Sequence, residues 1–136
     1  MRVVLDASVV VAALIRPRGW TVSELARDDV EWYVPRFLLE ELEEHLAEFA
    51  NTAQVSASKL RRRIETLRRK TIVKDEELIP HLDDPIMRRA AAIDPDDAPY
   101  LAAVLAVGAD YLWTRDKDLL TAFPALAVRV VPPSPR

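Results

Sequence analysis

The sequence predicts an α/β domain built on a mainly parallel sheet. Short apolar β-branched runs alternate with helical patterns along its 136 residues, as strands separated by helices do. The first run, residues 2–5, shows no period-2 alternation, which suits a strand covered on both faces. Acids stand just past two of these runs, at Asp6 and Asp116, where parallel sheets carry their functional edge.

The elements follow in order. After the strand at 2–5, Ser8 is placed to cap a helix over 9–15, apolar throughout and so expected to be buried from several sides. Arg16-Pro17-Arg18-Gly19 stops that helix and exposes two cations. A short helix over 21–27 and a strand over 30–34 come next, with Pro35 as punctuation. Residues 37–50 read as one helix, with Leu38, Leu42, Leu46 and Phe49 in a stripe. On its wheel Glu40 and Glu44 face solvent, while Glu41 sits about 100° from the stripe's centre.

Residues 56–70 form a second amphipathic helix. Ala57, Leu60, Ile64 and Leu67 are expected to face inward, ringed by Lys59, Arg61, Arg62, Arg63, Arg68, Arg69 and Lys70, the one strongly basic segment. A short strand is expected at 71–73, an acidic reversal at Asp75-Glu76-Glu77 and a less decisive segment through 86–93. Acids and prolines crowd a helix start at 94–99. Residues 101–107 are all apolar, an all-round buried helix that Gly108 ends. A strand over 111–114, a helical turn over 119–123 and a last strand over 127–131 complete the core. This makes one domain over 1–131 and a proline-rich tail over 132–136.

Composition narrows the chemistry. Half of the chain is apolar and 30% is charged, as in a globular protein. No apolar run approaches the roughly 20 residues of a membrane span, and no signal-like leader precedes the first helix, so a cytoplasmic protein without membrane contact is expected. Cysteine is absent and histidine occurs only at 45 and 81, which removes thiolate zinc sites, disulfides and cysteine nucleophiles. A net charge of −3 gives no global attraction to nucleic acid, so local patches decide.

Four acids are candidates for chemistry: Asp6 after the first strand, Glu41 on a helix, Asp97 at a helix start and Asp116 after a later strand. Gathered at one edge they would repel one another unless a divalent cation neutralised them. Oxygen ligands alone favour Mg²⁺ or Mn²⁺, and the matching reaction is metal-assisted phosphodiester hydrolysis. Each acid also has an ordinary role: Asp6 and Asp97 as helix caps, Glu41 on a solvated face, Asp116 or Asp118 in a turn. The basic helix by itself is a solvated face; beside a metal site it becomes a surface for phosphates. His45, Trp32, Trp113 and Tyr100 read as surface or packing residues.

Val3-Val4-Leu5-Asp6-Ala7-Ser8, Pro35-Arg36-Phe37-Leu38-Leu39-Glu40-Glu41-Leu42, Asp94-Pro95-Asp96-Asp97-Ala98-Pro99-Tyr100-Leu101 and Gly108-Ala109-Asp110-Tyr111-Leu112-Trp113-Thr114-Arg115-Asp116-Lys117-Asp118 together resemble the PIN domain, in particular the VapC-type toxin ribonucleases. The resemblance implies a Rossmann-type three-layer α/β/α sandwich and a Mg²⁺- or Mn²⁺-dependent ribonuclease. Its acids correspond to Asp6, Glu41, Asp97 and Asp116, with Asp94 and Asp96 as alternatives at the third position and Asp118 assisting or replacing Asp116. Ser8 and Thr114 fall where the family places supporting hydroxyls. The resemblance also implies an RNA substrate, a homodimer and a small antitoxin partner. Two rivals stand beside it: a degenerate PIN domain that binds RNA or protein without cutting, and a phosphotransferase using Asp6 as nucleophile. The second usually wants an acid two residues on, where this chain has Ser8.

Overall fold

Residues 2–5 form the strand expected of them, β1 (Arg2–Leu5), and Val3, Val4 and Leu5 are each 4% exposed or less. Such burial on both faces is what an unalternating apolar strand needs. The computed structural model describes residues 1–74, 84–93 and 95–128, with the side chains of Lys74, Ile93 and Asp97 outside that description. The acidic run Asp75-Glu76-Glu77, His81, Asp94, the end of the expected strand at 129–131 and the tail at 132–136 also lie outside it.

The other strands are β2 (Glu31–Pro35), β3 (Ile72–Lys74), β4 (Tyr111–Trp113) and β5 (Ala127–Val128). They form one parallel sheet in the order β3-β2-β1-β4-β5. Val4 pairs with Tyr33 on one side and Leu112 on the other, which places β1 at the centre. The chain steps outward from β1 through β2 to β3 and then returns to β4 on the opposite side. Strand order therefore reverses between β1 and β4, the position at which open α/β sheets hold ligands beyond their carboxyl ends.

Helices cover the sheet as a three-layer α/β/α sandwich. The helix after β1, α1 (Ala7–Ile15), starts two residues earlier than Ser8 capping would place it. Its last residue, Ile15, is 38% exposed, so the helix is not buried from all sides. A short α2 (Trp20–Leu25) follows. The single helix expected over 37–50 is two: α3 (Arg36–Glu44) and α4 (Leu46–Ala53), with His45 between them at φ −106°, ψ 28°. Four glutamates within 40–44 repel at helical spacing and weaken the helix at that point. The break lets Leu46 and Ala50 turn into the core along α5 (Ala57–Lys70).

Helix α5 begins as expected, with Ser56 Oγ accepting from the Lys59 N–H at 3.2 Å. Leu60, Ile64 and Leu67 are buried, whereas Ala57, expected to face inward, is exposed in the first turn. The uncertain segment is α6 (Pro85–Ile93), followed by a 3-10 turn at Pro95–Asp97 and then α7 (Ala98–Val107). Helix α7 packs on α6, β1, β2 and β4 but leaves Ala106 exposed, so it is not buried all round. Gly108 ends it at φ +61°, a conformation that suits glycine. A final helix, α8 (Lys117–Ala122), precedes β5. Trp32, Trp113 and Tyr100 are core residues as expected; the Trp32 and Trp113 rings lie 5.4 Å apart. Among the described residues no helix is long and apolar enough to cross a membrane.

Candidate active site

Asp6 occupies the one residue of extended backbone between β1 and α1, at φ −78°, ψ 159°. Its carbonyl accepts from Val9 and Val10 N–H and so opens α1, while its own N–H donates to Trp113 O at 3.0 Å. The position is that of a helix cap, yet the carboxylate makes no capping bond. It turns toward β4 instead and is only 5% exposed. A charge buried to that degree needs compensation. Two hydroxyls provide it, Ser8 Oγ donating to Asp6 Oδ2 at 2.9 Å and Thr114 Oγ1 donating to the same oxygen at 2.7 Å. The α1 N-terminus adds a favourable dipole.

Each hydroxyl is itself fixed from the far side. The Arg115 N–H donates to Ser8 Oγ at 3.0 Å, and the Asp116 N–H donates to Thr114 Oγ1 at 3.0 Å. With an N–H already filling each oxygen, both hydroxyl protons are directed to Asp6. Two polarised chains thus run from the loop after β4 to one carboxylate oxygen. No described residue donates to the other oxygen, Oδ1, and no described cation pairs with Asp6. Ser8 was expected to cap the helix over 9–15; in the structure it lies inside α1 and serves the carboxylate.

Asp116 lies at the N-cap of α8, where its Oδ1 accepts from the Asp118 N–H at 2.8 Å. The turn role and the site position thus coincide in one residue, tied through Thr114 to Asp6. Asp118 is exposed in the first turn of α8. Glu41 lies on α3 with its side chain exposed; its main-chain carbonyl accepts from the His45 N–H, and no described residue bonds to its carboxylate. Asp96 is exposed on the turn before α7. Asp97 closes that turn, while its side chain and the whole of Asp94 fall outside the described residues. Among the described residues no three histidines or acids stand together as a metal-holding group. Among the described residues, the Asp6 carboxylate and the Asp116 main-chain N–H are joined in one network through Thr114.

Topology carries the rest. Helices α3 and α8 begin directly past the carboxyl ends of β2 and β4, and α7 runs antiparallel into β4. The elements bearing all four expected acids therefore open at the same sheet edge. The donor set is hard oxygen throughout, and among the described residues no donor reaches Asp6 Oδ1. Mg²⁺ and Mn²⁺ suit such a set, since Mg²⁺ takes one or two carboxylates and retains waters for a phosphate.

The basic set divides. Arg68 pairs with Glu43 at 2.7 Å and Glu65 at 3.4 Å, and Arg63 donates to Leu14 O at 2.8 Å. Lys59, Arg61, Arg62, Arg69 and Lys70 are exposed. Sequence reasoning missed the backbone N–H groups of Arg115 and Asp116 as anchors. It also missed a cavity beside α5, for which the recurrence of Lys59, Arg62, Arg63, Thr66 and Lys70 along one flank was the available signal.

A model of the PIN domain family matches residues 4–127. No curated protein matches the chain. Among solved structures, VapBC2 from Rickettsia felis bound to a DNA fragment from their promoter aligns over 95% of this chain and 98% of that one, with TM-score 0.72 and 12% identity. VapBC-1 from nontypeable Haemophilus influenzae aligns over 95% and 98%, with TM-score 0.62 and 17% identity. PAE2754 from Pyrobaculum aerophilum aligns over 93% and 83%, with TM-score 0.63 and 18% identity. At such identities the structures share a fold with this chain. The family match runs from β1 into β5 and takes in Asp6, Glu41, Thr114 and Asp116. The chain belongs to the PIN domain family.

Proposed function

We propose that the protein is a Mg²⁺- or Mn²⁺-dependent endoribonuclease, the toxin of a two-component toxin–antitoxin pair, acting in the cytoplasm as a homodimer. The observation that carries the reading is Asp6: a buried carboxylate at the switch point, with two hydroxyls on one oxygen and no described donor on the other. Solved structures of similar fold include two VapBC complexes, which supports the toxin assignment and a small protein partner.

Asp6 and Asp116 hold the cation in this reading, with Glu41 and Asp97 completing the set; Asp94 and Asp96 remain alternatives for Asp97, and Asp118 for Asp116. The bound ion supplies Lewis acidity to the phosphodiester and stabilises charge as the bond breaks. Ser8 and Thr114 hold the Asp6 carboxylate in place, because both hydroxyls donate to its Oδ2. Lys59, Arg61, Arg62, Arg63, Arg68, Arg69 and Lys70 form the basic side of an RNA path, on which the unpaired members contribute most to phosphate attraction.

Cleavage of defined RNAs in a Mn²⁺ titration tests this directly. The parent is expected to cut and Asp6→Asn to lose about 100-fold or more, the upper end of what even indirect disruption of a metal site costs. Equal cutting by Asp6→Asn refutes the site. A parent that binds RNA without cutting it supports instead a non-catalytic PIN domain.

A further inference from the structure

A cavity of about 490 Å³ opens between α1, α2 and α5, and no member of the Asp6 network lines it. Among the described residues its charged lining is cationic: Arg18 beyond α1, with Lys59, Arg62, Arg63 and Lys70 along α5. The Arg63 guanidinium is committed to Leu14 O near the C-terminus of α1, where a helix dipole favours a cation. Arg18, Lys59, Arg62 and Lys70 are exposed, and no described residue accepts from their side chains. On α5 Lys59 and Arg62 lie about one turn apart, roughly 4.5 Å along the axis, and Lys70 lies two turns beyond Arg62, roughly 12 Å on, with Thr66 between them. The opposing wall is apolar, from Ala13, Leu14, Val22 and Leu25.

A cationic rim over an apolar wall matches one half of a nucleotide to each surface. Phosphates meet the ammonium and guanidinium groups, and the base lies on the aliphatic wall or against a guanidinium plane. The volume falls within the range of sites that enclose small ligands. Helix α1 links the cavity to the site, since Ala13 follows Asp6 by seven residues, about 10 Å along the axis. A few nucleotides of single strand span that distance.

We propose that this cavity seats an unpaired nucleotide of the RNA, upstream or downstream of the phosphate presented to Asp6. The identity of the strand rests on the ribonuclease reading, whereas the preference for a nucleotide rests on the cavity. The consequence is a selective foothold on α5, distinct from diffuse attraction by the whole basic helix.

Anisotropy of a labelled single-stranded oligoribonucleotide, measured on the full chain in chelator, separates binding from cutting. Lys59→Gln/Arg62→Gln/Lys70→Gln is expected to weaken binding about tenfold or more and to make the salt dependence shallower by about 2, near 0.7 for each lost contact. Arg61→Gln/Arg69→Gln removes two charges of the same RNA path outside the cavity and is expected to weaken binding, but to lower the slope by less than about 0.7 per charge. Val22→Trp fills the cavity without altering charge; it is expected to weaken the oligoribonucleotide about tenfold and leave inorganic polyphosphate unaffected. Equal loss per charge in both charge variants, no effect of Val22→Trp, or tighter binding of an acidic peptide overturns the proposal. Cavity-dependent RNA binding by a parent that never cuts with Mn²⁺ sustains it while removing the nuclease reading.

Discussion

At the scale of single residues, Thr114 is the most informative side chain in the site. It is fully buried, donates to the Asp6 carboxylate and accepts from the Asp116 main-chain N–H, so one hydroxyl ties Asp6 to the backbone that carries Asp116. Thr114→Val keeps the shape and strands both partners. It is expected to cost about 1–3 kcal/mol of stability by urea unfolding, and about 10–100-fold in Mn²⁺ affinity by calorimetry. Thr114→Ser is expected to restore most of both, which a purely steric role would not require. Tyr33 offers a separate test remote from catalysis. Its hydroxyl donates to Glu31 Oε2 at 2.8 Å, and that bond, reinforced by burial, raises its pKa above the usual tyrosine value. A raised folded value means the stabilisation is complete below about pH 10 and is lost as pH climbs through the higher folded value. Unfolding measured across pH is therefore expected to show Tyr33→Phe less stable than the parent at neutral pH, with the gap closing in strong alkali.

At the scale of elements, the sequence was read well wherever local chemistry and packing agreed. The α5 cap at Ser56 and its Leu60, Ile64 and Leu67 stripe both fall where spacing placed them. Gly108 likewise ends α7, and a Cβ there would meet nothing within 4 Å. The cost of Gly108→Ala is thus purely conformational, an expected 1–2 kcal/mol or about that, with an unchanged denaturant slope. The misreadings arose where tertiary contacts overrode an unbroken local pattern. Residues 37–50 kept a continuous apolar stripe, but charge repulsion within 40–44 and the pull of α5 on Leu46 and Ala50 divide it at His45. Helix α1 starts before Ser8 because the Asp6 carbonyl accepts from the Val9 and Val10 N–H groups, which leaves the Ser8 hydroxyl for the Asp6 carboxylate.

At the scale of the whole molecule, the reversal in strand order between β1 and β4 gives the chain its site edge. Binding of a cation by the folded state alone raises stability by about 2.7 kcal/mol at a concentration 100 times its Kd. A melt with Mn²⁺ or Mg²⁺ is accordingly expected to rise for the parent and stay flat for Asp6→Asn; a parallel rise in both removes Asp6 from the metal. The sequence by itself determined the α/β class, the buried first strand with an acid at its end, and the basic flank of α5. Apolar periodicity and turn residues are local properties, so a linear reading recovers them. Only the tertiary structure decided that Asp6 and Thr114, 108 positions apart, share a hydrogen bond, that loop N–H groups aim two hydroxyls at one carboxylate oxygen, and that α1, α2 and α5 enclose a cationic cavity. Those facts depend on strand order and helix docking, which are set by burial summed over the whole core and leave no mark at any one position.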